Sequence, residues 1–161
     1  MDKKIGLFWL RDDFRFSRNS ALIEATRNHD QVVVFFLYKK LTYKHQEAQK
    51  WWLSKSLNNF KQKLSSLNIS LQTIEIESFK FFFDELLKKK NFSIYWNKVY
   101  EPDYLKFDNY LTKNLQKKSI KFKIFKGNIL NEIHEVKKAD GTPFKVFTPF
   151  WRCAEKYYFE K

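Results

Sequence analysis

The 161-residue sequence predicts an α/β fold: a Rossmann-like, doubly wound, mostly parallel sheet of five strands with helices on both faces. Two observations predict it. Short apolar runs alternate with helical segments from the start of the chain, and each helical segment is long enough to carry a crossover between parallel strands. Right-handed crossovers in the usual doubly wound arrangement then give the strand order 3-2-1-4-5.

The first strand is legible at 4–10, where the apolar run Ile5 to Leu10 reads as buried. It ends in charged side chains, Arg11, Asp12, Asp13, Arg15 and Arg18, interleaved with Phe14 and Phe16. Asn19 is placed to cap a helix over Ala21–Arg27. "QVVVFFL" at 31–37 is the second strand. The longest helix follows over about 46–67, with Leu53, Leu57, Phe60, Leu64 and Leu67 spaced by fours and threes along one face. "SLQTIEI" at 70–76 is the third strand, 79–89 a helix, and 93–96 ("SIYW") the fourth strand. A helix over 102–118 places Tyr104, Asp108, Leu111 and Leu115 on one face, and 121–125 ("KFKIF") is the fifth strand.

Beyond Phe125 the alternation stops. A turn is expected at Asp140-Gly141-Thr142-Pro143, then a strand-like "FKVF", then a helix starting at Pro149, a favoured first-turn position. Phe144, Val146, Phe147, Phe150, Trp151, Tyr157, Tyr158 and Phe159 crowd this segment, which therefore needs a surface to cover or a partner to dock on.

Length and composition bound the function. A chain of this size buries roughly 70% of its unfolded surface, so it folds without a disulfide or metal. Cys153 is the sole cysteine, which excludes a disulfide framework and a cysteine zinc site and points to a reducing, cytoplasmic setting. The apolar run near the N-terminus is too short for a signal or a membrane span. His29, His45 and His134 have no metal-ligand spacing. No nucleophile elbow, phosphate loop or paired-carboxylate signature is found, so no residue is assigned a catalytic role.

The formal net charge of +13 rests on 26 lysines and five arginines. A polyanion partner is one reading, a basic nucleic-acid module. Compositional bias toward Lys, Asn, Phe and Ile is the plainer one, because specific base contacts lean on arginine.

The strand order puts the switch point between the first and fourth strands, and ligands favour the crevice beyond their carboxyl ends. "RDDFR" and "NKVYEPD" meet there. Arg11 could clamp an anionic or planar ligand, or the four charges could form a local ion-pair knot; residue type leaves both open. Glu101 could accept hydrogen bonds from a heterocycle, pair with Arg11, or complement a helix dipole, and its position favours the first.

Three stretches carry a family resemblance. "FWLRDDFRFSRNSAL" resembles the opening of DNA photolyases and cryptochromes (W-F-R-R-D-L-R-x-x-D-N-x-A-L) through Trp9, Arg11, Asp13, Phe14, Arg15, Asn19, Ala21 and Leu22. "YWNKVYEPDYLKFD" resembles their Y-x-N-x-x-Y-E-P-x-x-x-x-R-D segment through Asn97, Tyr100, Glu101, Pro102 and Asp108. "GTPFKVFTPFW" resembles their G-x-P-Y-x-V-F-T-P-F-W motif. Asp12, Ser17-Arg18 and Asp103-Tyr104 depart from the family pattern.

The resemblance implies an N-terminal α/β antenna domain over 1–148, with 149–161 beginning the connection to a helical FAD domain, the partner that Phe147, Phe150 and Trp151 would meet. It implies an antenna chromophore beside Arg11, Asn97, Glu101, Asp103 and Tyr104: methenyltetrahydrofolate first, a deazaflavin or flavin as alternatives. It further implies light-driven repair of pyrimidine dimers by the parent protein, with DNA met through that protein and bound weakly by this chain alone. Neither membrane nor metal enters this reading. A photosensory or stand-alone nucleotide-binding domain is the alternative.

Overall fold

The computed structural model describes residues 5–39, 47–132 and 134–156. They fall into two compact units, divided after Gly127.

The first unit is the expected sheet. Strands β1 (Ile5–Leu10), β2 (Val32–Tyr38), β3 (Ser70–Glu75), β4 (Phe92–Asn97) and β5 (Phe122–Phe125) lie in the order β3-β2-β1-β4-β5. Every pairing is parallel, with Trp9 opposite Phe35 on one side and Trp96 on the other. Helices α1 (Ser20–Asn28), α2 (Glu47–Ser65), α3 (Phe79–Leu86) and α4 (Pro102–Lys117) are the crossovers.

Side chains two apart on a strand share a face. Phe8 and Leu10 therefore join the core with Ala21, Leu22, Phe60 and Leu64, from α1 and α2. Trp9 joins the opposite core with Phe83, Leu111 and Leu115, from α3 and α4. Residue 11 continues the Trp9 face.

Local chemistry sets the helix ends. Asn19 accepts from Leu22 N–H at 3.2 Å and Ser78 from Phe81 N–H at 3.1 Å, each satisfying an N-terminal donor. Helix α2 stops at Ser65, because Asn68 turns into the left-handed region (φ 57°) and the chain doubles back. Leu67, expected on the apolar face, lies beyond that end and is 55% exposed. At the other end Gln46 falls outside the described residues, as does Lys4 of the expected first strand. Glycine is required at Gly6, where a Cβ would lie 2.8 Å from the His29 ring. That approach lets the imidazole meet the Tyr95 hydroxyl at 3.0 Å.

In the second unit the expected turn is present. Asp140 Oδ1 accepts from Thr142 N–H (2.9 Å) and Oγ1–H (2.6 Å), and Gly141 takes φ 78°. "FKVF" is not a strand: with no ladder partner, Phe144–Val146 run as irregular chain, and α5 (Phe147–Ala154) begins two residues before Pro149. Proline at the third helical position still loses nothing, since first-turn N–H groups have no intrahelical acceptor. Along α5, Phe147 and Trp151 stack at 6.2 Å and 13° while remaining 70% and 37% exposed. Tyr157, Tyr158 and Phe159 lie outside the described residues.

Candidate chromophore site

Arg11 follows the odd-numbered face of β1 under the α3–α4 layer, where it is 4% exposed. Its guanidinium meets neither neighbouring aspartates nor Glu101. It crosses to Asp108 on α4, with Nη1 donating to Oδ2 at 3.1 Å and Nη2 to Oδ1. Its Cζ lies 3.7 Å from the centroid of the Trp9 ring, with the Tyr104 ring at 5.2 Å and the Trp96 ring at 5.9 Å. Fork-to-fork pairing and desolvated cation–π contact together compensate for burying the charge.

Asp108 was the partner that sequence reasoning missed. The signal was present, because an aspartate between Tyr104 and Leu111 on an apolar helix face must meet a cation or be left uncompensated.

The local knot forms one turn further on and without Arg11. Arg15 Nε and Nη2 donate to Asp13 at 2.8 and 2.7 Å, near the surface. Asn97, 5% exposed at the end of β4, donates to Asp13 (3.2 Å) and to Asn19 (2.9 Å), tying β4 to the α1 cap. Asp12, at the exposed outer edge of the loop, has its carboxyl raised above the ordinary range by partial desolvation, which Arg11 opposes.

Glu101, Asp103 and Tyr104 do come together. They line a cleft of about 310 Å³ at the carboxyl end of the sheet, with Lys39 after β2 and Phe79 and Phe107 from α3 and α4. Phe79 stands 5.8 Å from Tyr104 and 5.6 Å from Phe107, so three rings wall one side. The Lys39 ammonium lies 5.4 Å from the Phe79 ring. Glu101 is the N-cap of α4 but makes no side-chain capping bond, which leaves its carboxylate to the cleft. Arg11 stands behind Tyr104, and Asn97 is turned toward the α1 side; neither lines the cleft.

This lining fits a planar heterocycle that carries N–H donors. Aromatic walls offer stacking, carboxylates accept ring N–H groups, and Lys39 answers negative charge. The volume is at the small end of ligand pockets. Three buried side-chain atoms, Arg11 Nε, Trp96 Nε1 and Asn97 Oδ1, have no hydrogen-bond partner among the described residues, and none of them lines the cleft. Among the described residues no three His, Cys, Asp or Glu side chains could hold a metal ion, and no helix is long and apolar enough to cross a membrane.

Fold and cleft together define a doubly wound α/β domain with a cleft at the carboxyl end of its sheet, the end at which such folds place ligands. The family is particular: the DNA photolyase family model matches residues 6–161, and the chain belongs to that family. It is 28% identical over 149 residues to a deoxyribodipyrimidine photo-lyase of Agrobacterium fabrum, covering 92% of this chain and 31% of the relative. It is 29% identical to cryptochrome-1 of Arabidopsis thaliana, covering 95% and 23%. The crystal structure of a bacterial class III photolyase from Agrobacterium tumefaciens superposes with a TM-score of 0.81 at 26% identity, covering 96% of this chain and 32% of that one. The chain thus spans about a third or less of the length of these relatives.

Proposed function

We propose that this chain is the antenna-chromophore domain of a deoxyribodipyrimidine photolyase, a light-driven enzyme repairing cyclobutane pyrimidine dimers in DNA. The observation that carries this is the family match over 6–161 together with a cleft whose aromatic walls and carboxylate acceptors suit a planar chromophore with ring N–H groups. The chromophore is methenyltetrahydrofolate in the first instance, with a deazaflavin or a flavin as alternatives. Bound, it absorbs light and passes the energy through space to a flavin.

The chain's own residues bind and orient. Tyr104, Phe79 and Phe107 stack on the ring system, while Glu101 and Asp103 accept its N–H groups. Lys39 meets its carboxylate or phosphate. Arg11 and Asn97 act from behind: the first ties Trp9 of β1 to Tyr104 and Asp108 of α4, the second holds β4 to the start of α1. Repair chemistry belongs to a helical FAD domain, and Phe147, Phe150 and Trp151 of α5 are the surface offered to it. DNA is met chiefly through that parent protein.

A photosensory, cryptochrome-type role is the second reading, favoured by the similarity to cryptochrome-1. One assay separates them. The chain is fused to the helical FAD domain of the Agrobacterium relative and given ultraviolet-damaged DNA under light. The proposal expects dimer repair, with an action spectrum extended into the absorption band of the added chromophore. A flavin-only spectrum would remove the antenna role, and absence of repair by a folded, flavin-loaded fusion would favour the photosensory reading. The 161-residue chain alone, supplied with FAD and reductant, is expected to leave dimers intact.

A further inference from the structure

Helix α2 carries a second set of unexplained side chains, on the sheet face opposite the chromophore cleft. Trp51 and Trp52 are 57% and 65% exposed, an unusual position for two indoles. They meet edge-to-face at 5.3 Å, and the Lys55 ammonium lies 5.6 Å from the Trp51 ring. Trp52, Ser56, Asn59 and Lys63 follow one another at spacings of four, three and four, and Lys55 lies three beyond Trp52 and four before Asn59, so they share one outward stripe about 16 Å long.

The stripe borders a pocket. A hollow of about 260 Å³ is walled by Trp52, floored by Phe14 and Phe60, and rimmed by the polar members of the stripe. Phe14 and Phe60 are themselves fixed, edge-to-face at 6.3 Å on the α1–α2 core.

The chemistry is that of a stacking platform with cations around it. Described α2 residues include Lys50, Lys55, Lys61 and Lys63 against Glu47 alone, and Glu47 is already paired with Lys50 at 2.8 Å. Lys55 and Lys63 are therefore left to an external anion. Ser56 and Asn59 supply hydrogen bonds that either edge of a base accepts. An anionic membrane also attracts Trp and Lys, but an interfacial helix needs a broad apolar face turned outward. Here that stripe (Leu53, Leu57, Phe60, Leu64) faces the core, leaving only the indoles outside.

We propose that the Trp52–Lys63 face of α2 binds single-stranded nucleic acid, one base entering the Phe14–Phe60 hollow against Trp52 while Lys55 and Lys63 hold the flanking phosphates. Flexible single strands present unstacked bases to such aromatic platforms, and duplexes do not. The site lies apart from the chromophore cleft and needs neither chromophore nor flavin.

The test is fluorescence anisotropy of a labelled twelve-residue oligothymidylate against the 161-residue chain, with a duplex of equal length beside it. Tighter binding to the single strand is expected. Trp52→Ala should weaken it roughly 5- to 100-fold, the loss of one stacked base. Lys63→Gln should weaken it and flatten its salt dependence, whereas Lys117→Gln on α4, the same charge change, should do little. All three positions are exposed, so circular dichroism and melting should match the parent chain. Equal affinity for duplex, or a Trp52→Ala variant that binds as the parent does, would overturn the proposal. So would Trp52-dependent sedimentation with phosphatidylserine vesicles in the absence of Trp52-dependent oligonucleotide binding. Loss of binding in Glu101→Gln but not in Trp52→Ala would put the strand in the other cleft, which also refutes it.

Discussion

Arg11 and Arg15 leave the same strand end four residues apart, yet Arg11 is 4% exposed and reaches Asp108 on α4, whereas Arg15 has 52% of its side chain exposed and closes on Asp13 two residues away. Sequence separation tells the two apart. Arg11 joins residues 97 positions distant and so binds β1 to the layer that walls the cleft. Arg15 orders only its own loop. A buried pair contributes little net stability by its presence, but losing one member leaves an uncompensated charge; a surface pair is nearly free to lose.

The largest effect should come from breaking the buried pair on one side only. Arg11→Met is expected to destabilise by about 3–5 kcal/mol, a fall in melting temperature of roughly 10 °C for a chain of this size. The double variant Arg11→Met/Asp108→Leu should recover most of that loss, because apolar side chains of similar volume often replace a buried ion pair at no cost. Thermal melts of the two variants check this. A double variant as unstable as the single would mean that the Trp9 stack, and not the charge pair, dominates.

Asn97→Leu comes next. It removes two donors at once and leaves Asn19 Oδ1 with only its Leu22 partner, which should cost about 1–3 kcal/mol. Chemical denaturation checks the size, and hydrogen exchange should show α1 opening first.

Arg15→Ala should be the mildest of the loop changes, at most about 1 kcal/mol, and smaller still in high salt. A loss as large as that of Arg11→Met would abolish the distinction between the two arginines.

A pH effect sharpens the same contrast on the neighbouring helices. Asp84 accepts from Lys80 at 2.7 Å and from the Tyr110 hydroxyl, and these bonds hold its carboxyl below the usual range, Lys80 being the larger cause. A carboxyl whose folded pKa is depressed stabilises above its unfolded value near 4 and loses that contribution as pH falls through the lowered folded value. The α3–α4 tie should therefore weaken only below about pH 4. Asp84→Asn should be slightly less stable at neutral pH and should show a flatter acid limb in a melting-temperature profile.

The arrangement of the sheet was legible because local signals agreed: each strand is a short apolar run and each crossover has its own periodicity. What lay beyond sequence depended on long-range partners. "FKVF" has strand chemistry but no neighbouring ladder, and strand propensity without pairing forms no strand. Leu67 sits on the helical stripe but beyond the helix, because Asn68 reverses the chain. Glu101, Asp103 and Tyr104 line one cleft because they are contiguous after β4, whereas Arg11 and Asn97, grouped with them in the sequence, turn to Asp108 and to the α1 cap. Phe79 and Lys39, which complete its walls, come from elements with no motif to mark them. Arg11 was recognisable as important, but its partner could be read only from the polar intruder on the α4 apolar face.

The central claim, that the cleft at Glu101 holds the chromophore while Arg11 only shapes it, is tested most directly by titrating methenyltetrahydrofolate into the parent chain and into Glu101→Gln, with the melting temperature recorded on the same samples. Removing one charged hydrogen bond should weaken binding about ten- to a hundredfold, and the melting temperature without ligand should stay unchanged because Glu101 makes no capping bond. A parent chain that binds while Glu101→Gln binds equally well would contradict the assignment.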